Sequence, residues 1–139
     1  MIKRLSLGTI ILTLAEVVSA FMVSSFASDA IKGTYWNAEK TAHIRMYKAR
    51  NGKYYGKVEN LEIPNDKNGK PKTDDKNPNE ELRSRSRLGM VIAKAFTWDE
   101  EEQEWNDSTI YNPEDEKTYD GYMYFKEGDK DKLYLRGFV

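Results

Sequence analysis

The sequence predicts an all-β fold, a small antiparallel sandwich or barrel. Three observations lead to it. Apolar and polar residues alternate through several short stretches, turn signals separate those stretches at intervals of about ten residues, and no segment after residue 30 keeps a helical period over two turns. With 139 residues the chain has room for one domain, and without cysteine its core must hold with no disulfide.

What precedes the strands is of another kind. Lys3 and Arg4 lead into the uncharged apolar run Leu5–Ala15, and small residues follow at signal-peptidase spacing, Val18/Ala20 or Ser25/Ala27. The expectation is a signal peptide over 1–27, cleavage after Ala27, strand-like sequence from Ser28 and a single domain over 28–139. The product would be periplasmic or secreted, with no stable membrane anchor after cleavage. An uncleaved anchor over 5–27 is the competing reading, with Glu16 near its centre. Losing Lys3, Arg4 and Glu16 takes the formal net charge from −1 to −2, which gives no electrostatic basis for a nucleic-acid partner.

Each strand has its own signature. "TAHIRMYK" (41–48) puts Ala42, Ile44 and Met46 on one face and Thr41, His43, Arg45 and Tyr47 on the other. Asn51-Gly52 tolerates positive φ and predicts a two-residue hairpin turn into the return strand 53–63. Residues 64–81 are a polar connection without periodicity. "MVIAKAFTW" (90–98) is apolar nearly throughout and reads as a central strand. "DEEEQE" (99–104) turns the chain into "WNDSTIYNP" (105–113), which stops at Pro113. "TYDGYMYFK" (118–126) sets Gly121, Met123 and Phe125 against Tyr122 and Tyr124, and "EGDKDK" (127–132) turns into "LYLRGFV" (133–139).

The charged stretch "DDKNPNEELRSRSRLG" (74–89) runs directly into the apolar strand. Asn77 can cap a helical turn near 78–83, with Pro78 at its first position and Glu80 at its third. Asp74 and Asp75 then lie before the positive end of the helix dipole. Arg83, Arg85 and Arg87 alternate with Ser84, Ser86 and Leu88 and share a face if the segment is extended. They suit two roles: anchors that bond carboxylates and carbonyls to hold a plug over the barrel end, or an anion-binding mouth.

The residues argue against catalysis. His43 is the only histidine, there is no nucleophile motif, and the acidic run Asp99–Glu116 has no calcium-loop spacing. No enzyme activity, metal or cofactor is expected. Nine tyrosines suit a half-wet pocket, because the ring packs while the hydroxyl bonds, and a small amphipathic or apolar molecule is the ligand such a pocket would take. The runner-up is an envelope structural or interaction protein with a filled barrel and no ligand.

"DDKNPNEELRSRSRLGMVIAKAF", "WNDSTIYNPEDEKTY" and "KLYLRGF", in that order and after the opening "GTYW" (33–36), resemble the uncharacterised exported bacterial family known as domain of unknown function 2147. The resemblance implies a small lipocalin-like β-barrel and supplies no catalytic or ligand residue. Where the family carries glycine, this chain has Ala95, Asp107–Ser108 and Glu116, which bears on turn geometry there. The family's pattern also continues past "RGF" with a further strand. The resemblance therefore implies a barrel lacking its last strand, or a truncated reading of a longer product, with an edge open to dimer pairing. Candidate ligand-binding or structural-anchor residues are Asn77, Arg83 and Arg85 of the charged stretch, and Trp36, Tyr111, Tyr119 and Arg136 of the other motifs.

Overall fold

A computed structural model describes residues 27–138. The signal-peptide and anchor readings fall on residues 1–26, outside the described residues, but for Ala27. Residues 27–29 are helical rather than strand-like, and with Ala30 they belong to a unit separate from the body that begins at Ile31. That body holds seven strands: β1 (Gly33–Trp36), β2 (Ala42–Lys48), β3 (Tyr54–Leu61), β4 (Val91–Asp99), β5 (Glu104–Asn112), β6 (Lys117–Lys126) and β7 (Asp129–Phe138). They form one sheet in sequence order, with each strand antiparallel to the next. The sheet curls into a nearly closed barrel, for Tyr35 of β1 and Leu133 of β7 pack against the same buried cluster.

Period-two alternation produces this core. Directly opposed residues of an antiparallel pair share a face, and the register aligns Ile44 with Val58, Gly56 with Ala93, Tyr54 with Phe96 and Trp105 with Met123. Phe96 is 0% exposed and Trp105 1%. Burying side chains of that size stabilises the fold by roughly 1.5–3 kcal/mol each. Rings meet Trp105 from three strands: Tyr54 at 6.4 Å, Trp98 at 4.6 Å and Phe125 at 5.6 Å between centroids. Gly56 admits the close approach of β2 and β4, since a Cβ there would lie 2.7 Å from Met46 Sδ and 3.1 Å from Ala93 Cβ. A second cluster of Ala42, Val58 and Met90 adjoins Tyr111 and shares Ile44 with the first.

The connections depart from expectation in physical detail. The Asn51-Gly52 hairpin has a three-residue loop: Ala49 N–H bonds Lys53 O, Gly52 N–H bonds Ala49 O, and Gly52 alone of the pair takes positive φ, +80°. This is a turn followed by a left-handed glycine, the next commonest hairpin closure. The last hairpin turns at Glu127–Gly128, so β7 begins at Asp129, earlier than 133. The helical turn is a 3-10 turn over Glu80–Leu82, and Asn79 caps it by accepting from Glu81 N–H, not Asn77. Ala95, Asp107 and Glu116 all sit at left-handed φ, between 58° and 65°. The bends are therefore kept with side chains in place of glycine.

Candidate functional site

The long connection between β3 and β4 folds back on itself. Thr73 and Ser86 form an isolated bridge, Asp74 N–H bonds Arg85 O at 2.8 Å, and Arg87 N–H bonds Lys72 O at 3.0 Å. At the centre of this plug is Asp74, which is fully buried. Its Oδ1 accepts from the Tyr111 hydroxyl at 2.8 Å, and its Oδ2 accepts from Asn77 Nδ2 at 2.7 Å and from an Arg85 guanidinium nitrogen at 2.8 Å. Asp74 is thus the acceptor of a closed polar network and not a dipole partner, and a three-residue turn is too short to offer much of a dipole.

The electrostatics follow from that closure. Burial alone would raise the Asp74 carboxyl, but hydrogen bonds from Asn77, Arg85 and Tyr111, with the Arg85 charge, hold it below its ordinary value. Burial, with the hydrogen bond and negative charge of Asp74, pushes the Tyr111 phenol up to about 12. Arg85 also lies over the Tyr111 ring, 5.9 Å from its centroid.

The other arginines pin the same segment. Arg83 Nε donates to Asn77 O at 2.8 Å, and Arg87 Nε donates to Thr73 O at 2.9 Å. Arg87 also reaches Glu114 at 2.7 Å and Asp75 at 3.5 Å. Asn77 turns the chain by accepting from Asn79 N–H at 2.8 Å. Geometrically this is an anchored plug whose guanidinium groups already face carboxylates and carbonyls.

The structure gathers Asn77, Arg83, Arg85 and Tyr111 around Asp74 and leaves the other candidates apart. Trp36 is 49% exposed on β1, its ring 3.9 Å from the His43 ring. Tyr119 donates to Asp115 and covers Gly137. Arg136 stands on β7 opposite Tyr122. Asp74 itself was not among the site residues read from the sequence. The one signal for it is a carboxylate three positions before Asn77 in a stretch rich in arginine. Among the described residues no group of three or more His, Cys, Asp or Glu could hold a metal ion.

Elsewhere the core face runs into solvent. Leu135 of β7 is directly opposite buried Met123, itself opposite Trp105, yet Leu135 is 49% exposed. On β1, Tyr35 is half-buried and donates to Ile31 O, and burial together with the charge of Asp131 raises its phenol. Leu135 and Tyr35 flank the seam between the two outer strands.

Comparison with known proteins agrees with this geometry. A solved structure from the human pathogen Helicobacter pylori, protein HP1028, described as belonging to the lipocalin family, is similar with a TM-score of 0.60 and 22% identity, over 77% of this chain and 70% of that one. That likeness shows the fold. No curated protein matches significantly. The family model of domain of unknown function 2147, "Uncharacterized protein conserved in bacteria", matches residues 33–139, the whole strand-bearing region, and the chain belongs to that family.

Proposed function

We propose that this protein is an exported, non-catalytic binding module that takes one small amphipathic or apolar molecule at the seam between β1 and β7. The observation that carries the reading is Leu135: a core-face residue, directly opposite a side chain 3% exposed, that is itself 49% exposed. A ligand with an apolar body would continue the core over Leu135, and the Tyr35 phenol would receive its polar end. The lipocalin-like fold supports the same class of role. The anchored plug closes part of the barrel, and each Asp74 oxygen already accepts a hydrogen bond, which leaves Arg85 Nε as the buried side-chain donor without a partner among the described residues.

The test is native mass spectrometry of protein taken from its own host, followed by titration of the stripped protein with a long-chain fatty acid, read by tryptophan emission. A co-purified mass and saturable binding with one site are expected, and Leu135→Asp should abolish both. No extra mass and no saturable response would overturn the proposal. The alternative, an envelope structural or interaction protein with a filled barrel, is favoured by the packing around Trp105 and Gly56, where no ligand fits.

A further inference from the structure

The outer face of the β6–β7 ribbon carries a separate arrangement. Gly121 and Met123 are buried and Phe125 packs on the core, so Tyr122 and Tyr124 stand on the opposite face. Register puts Arg136 opposite Tyr122 and Tyr134 opposite Tyr124. The Tyr124 and Tyr134 rings stack at 5.4 Å with 22° between planes, and Tyr122 lies 5.9 Å from Tyr124. The ammonium groups of Lys126 and Lys132 lie 4.4 and 5.2 Å from the centre of the Tyr134 ring.

Three cations stand together among these rings. Lys126, Lys132 and Arg136 are exposed, and none of them forms an ion pair among the described residues. The plug arginines, by contrast, each face a carboxylate. The chain as a whole is acidic, with a formal net charge of −1 and no Lys or Arg between Asp99 and Glu116. Asp129 stands opposite Lys126 in register, so Lys132 and Arg136 are the two of these cations with no carboxylate opposite them, and together they form a local field that attracts anions. Lys132 and Arg136 are about 13 Å apart by strand rise, a separation that a chain with repeated charges spans and a single small ion does not.

We propose that this face binds an acidic polysaccharide, a polyuronate strand whose carboxylates meet Lys126, Lys132 and Arg136 while its ring hydroxyls bond the tyrosine phenols. Arginine suits the carboxylate fork, and phenols both donate and accept. A single-stranded nucleic acid shares the negative charge but needs free aromatic faces for its bases. Here those faces are spent on one another and on the lysines.

Calorimetry with oligogalacturonate at low salt, with dextran as the neutral control, tests this. Binding of the uronate and not of dextran is expected, weakening as salt rises. Lys132→Gln with Arg136→Gln should lower affinity by about tenfold or more. The same loss of charge at exposed Lys67 and Lys70, by glutamine substitution, should change it less than about twofold. Lys126→Gln alone is the second variant should the double one fail to fold. Equal loss in both double variants, no loss in the first, or tighter binding of oligothymidylate or of phosphatidylglycerol vesicles than of the uronate would overturn the proposal. Leu135→Asp leaves this face intact, so the outcome is independent of the seam.

Discussion

Asp74 is the residue on which the plug depends. Asp74→Asn would leave Arg85 without its carboxylate in a partly buried place, and breaking such a pair costs on the order of 3 kcal/mol. Chemical denaturation should show that loss, with the same slope. Because folding lowers the Asp74 pKa, its contribution is complete above the unfolded value, about 3.9, and is lost as pH falls through the folded value. Asp74→Asn should therefore flatten the acid limb of stability, leaving the slope owed to Glu59, Asp99 and Asp115, which are lowered as well. Tyr111 has the opposite sign: raised to about 12, its contribution is full below the unfolded value and fades as pH climbs through the folded one, which phenolate absorbance would report. Asn79→Ala, removing the observed cap, should cost about 1 kcal/mol. Asn77→Ala should cost more, because it takes a donor from a buried carboxylate. The sequence held the types of these residues but not their pairing. Asn77 and Asn79 both flank Pro78 and both suit a cap. What separates them is Asp74, whose own place is set by Tyr111, 37 positions away.

Strands were legible because an alternating pattern states which face is wet, and each stretch read as a strand after residue 30 is one. The bends were less so. Ala95 and Asp107 bear left-handed φ inside strands, where the Cβ meets the following carbonyl at a cost of roughly 1–2 kcal/mol. Their only signal was glycine missing from a family pattern. Glu116→Gly, at an exposed turn with φ 65°, should raise stability by about 0.5 kcal/mol, since relief of strain exceeds the entropy gained by the unfolded chain. Thermal denaturation checks the sign. The outer strand gives a sharper expectation. β7 pairs with β6 along one edge only, so in dilute solution every second amide of 133–138 should exchange slowly and its neighbours fast. Were two copies to pair through β7, the fast set would become protected as concentration rises. Protection of both sets at high dilution would contradict an open edge.

Over the whole molecule two apolar clusters share Ile44, and the plug ties the connection after β3 to β5 through Tyr111. Unfolding should accordingly be a single transition, with tryptophan emission, dominated by the ring cluster at Trp105, coinciding with far-ultraviolet dichroism of the sheet. Two separated midpoints would show that the clusters melt independently. The architecture itself was legible, since short strands and turns in strict succession leave few topologies. The open seam was legible only through the family resemblance, because alternation within strands says nothing of the curvature that bulges set. It also has a property that follows from counting. Six antiparallel pairings in succession return the seventh strand to the heading of the first, so β1 and β7 face each other across the seam pointing the same way. An up-and-down barrel closes on itself with an even number of strands; with an odd number the two lips cannot join by the ladder used everywhere else in the sheet. An extended segment entering the gap in the reverse direction, however, would meet antiparallel backbone on both sides at once.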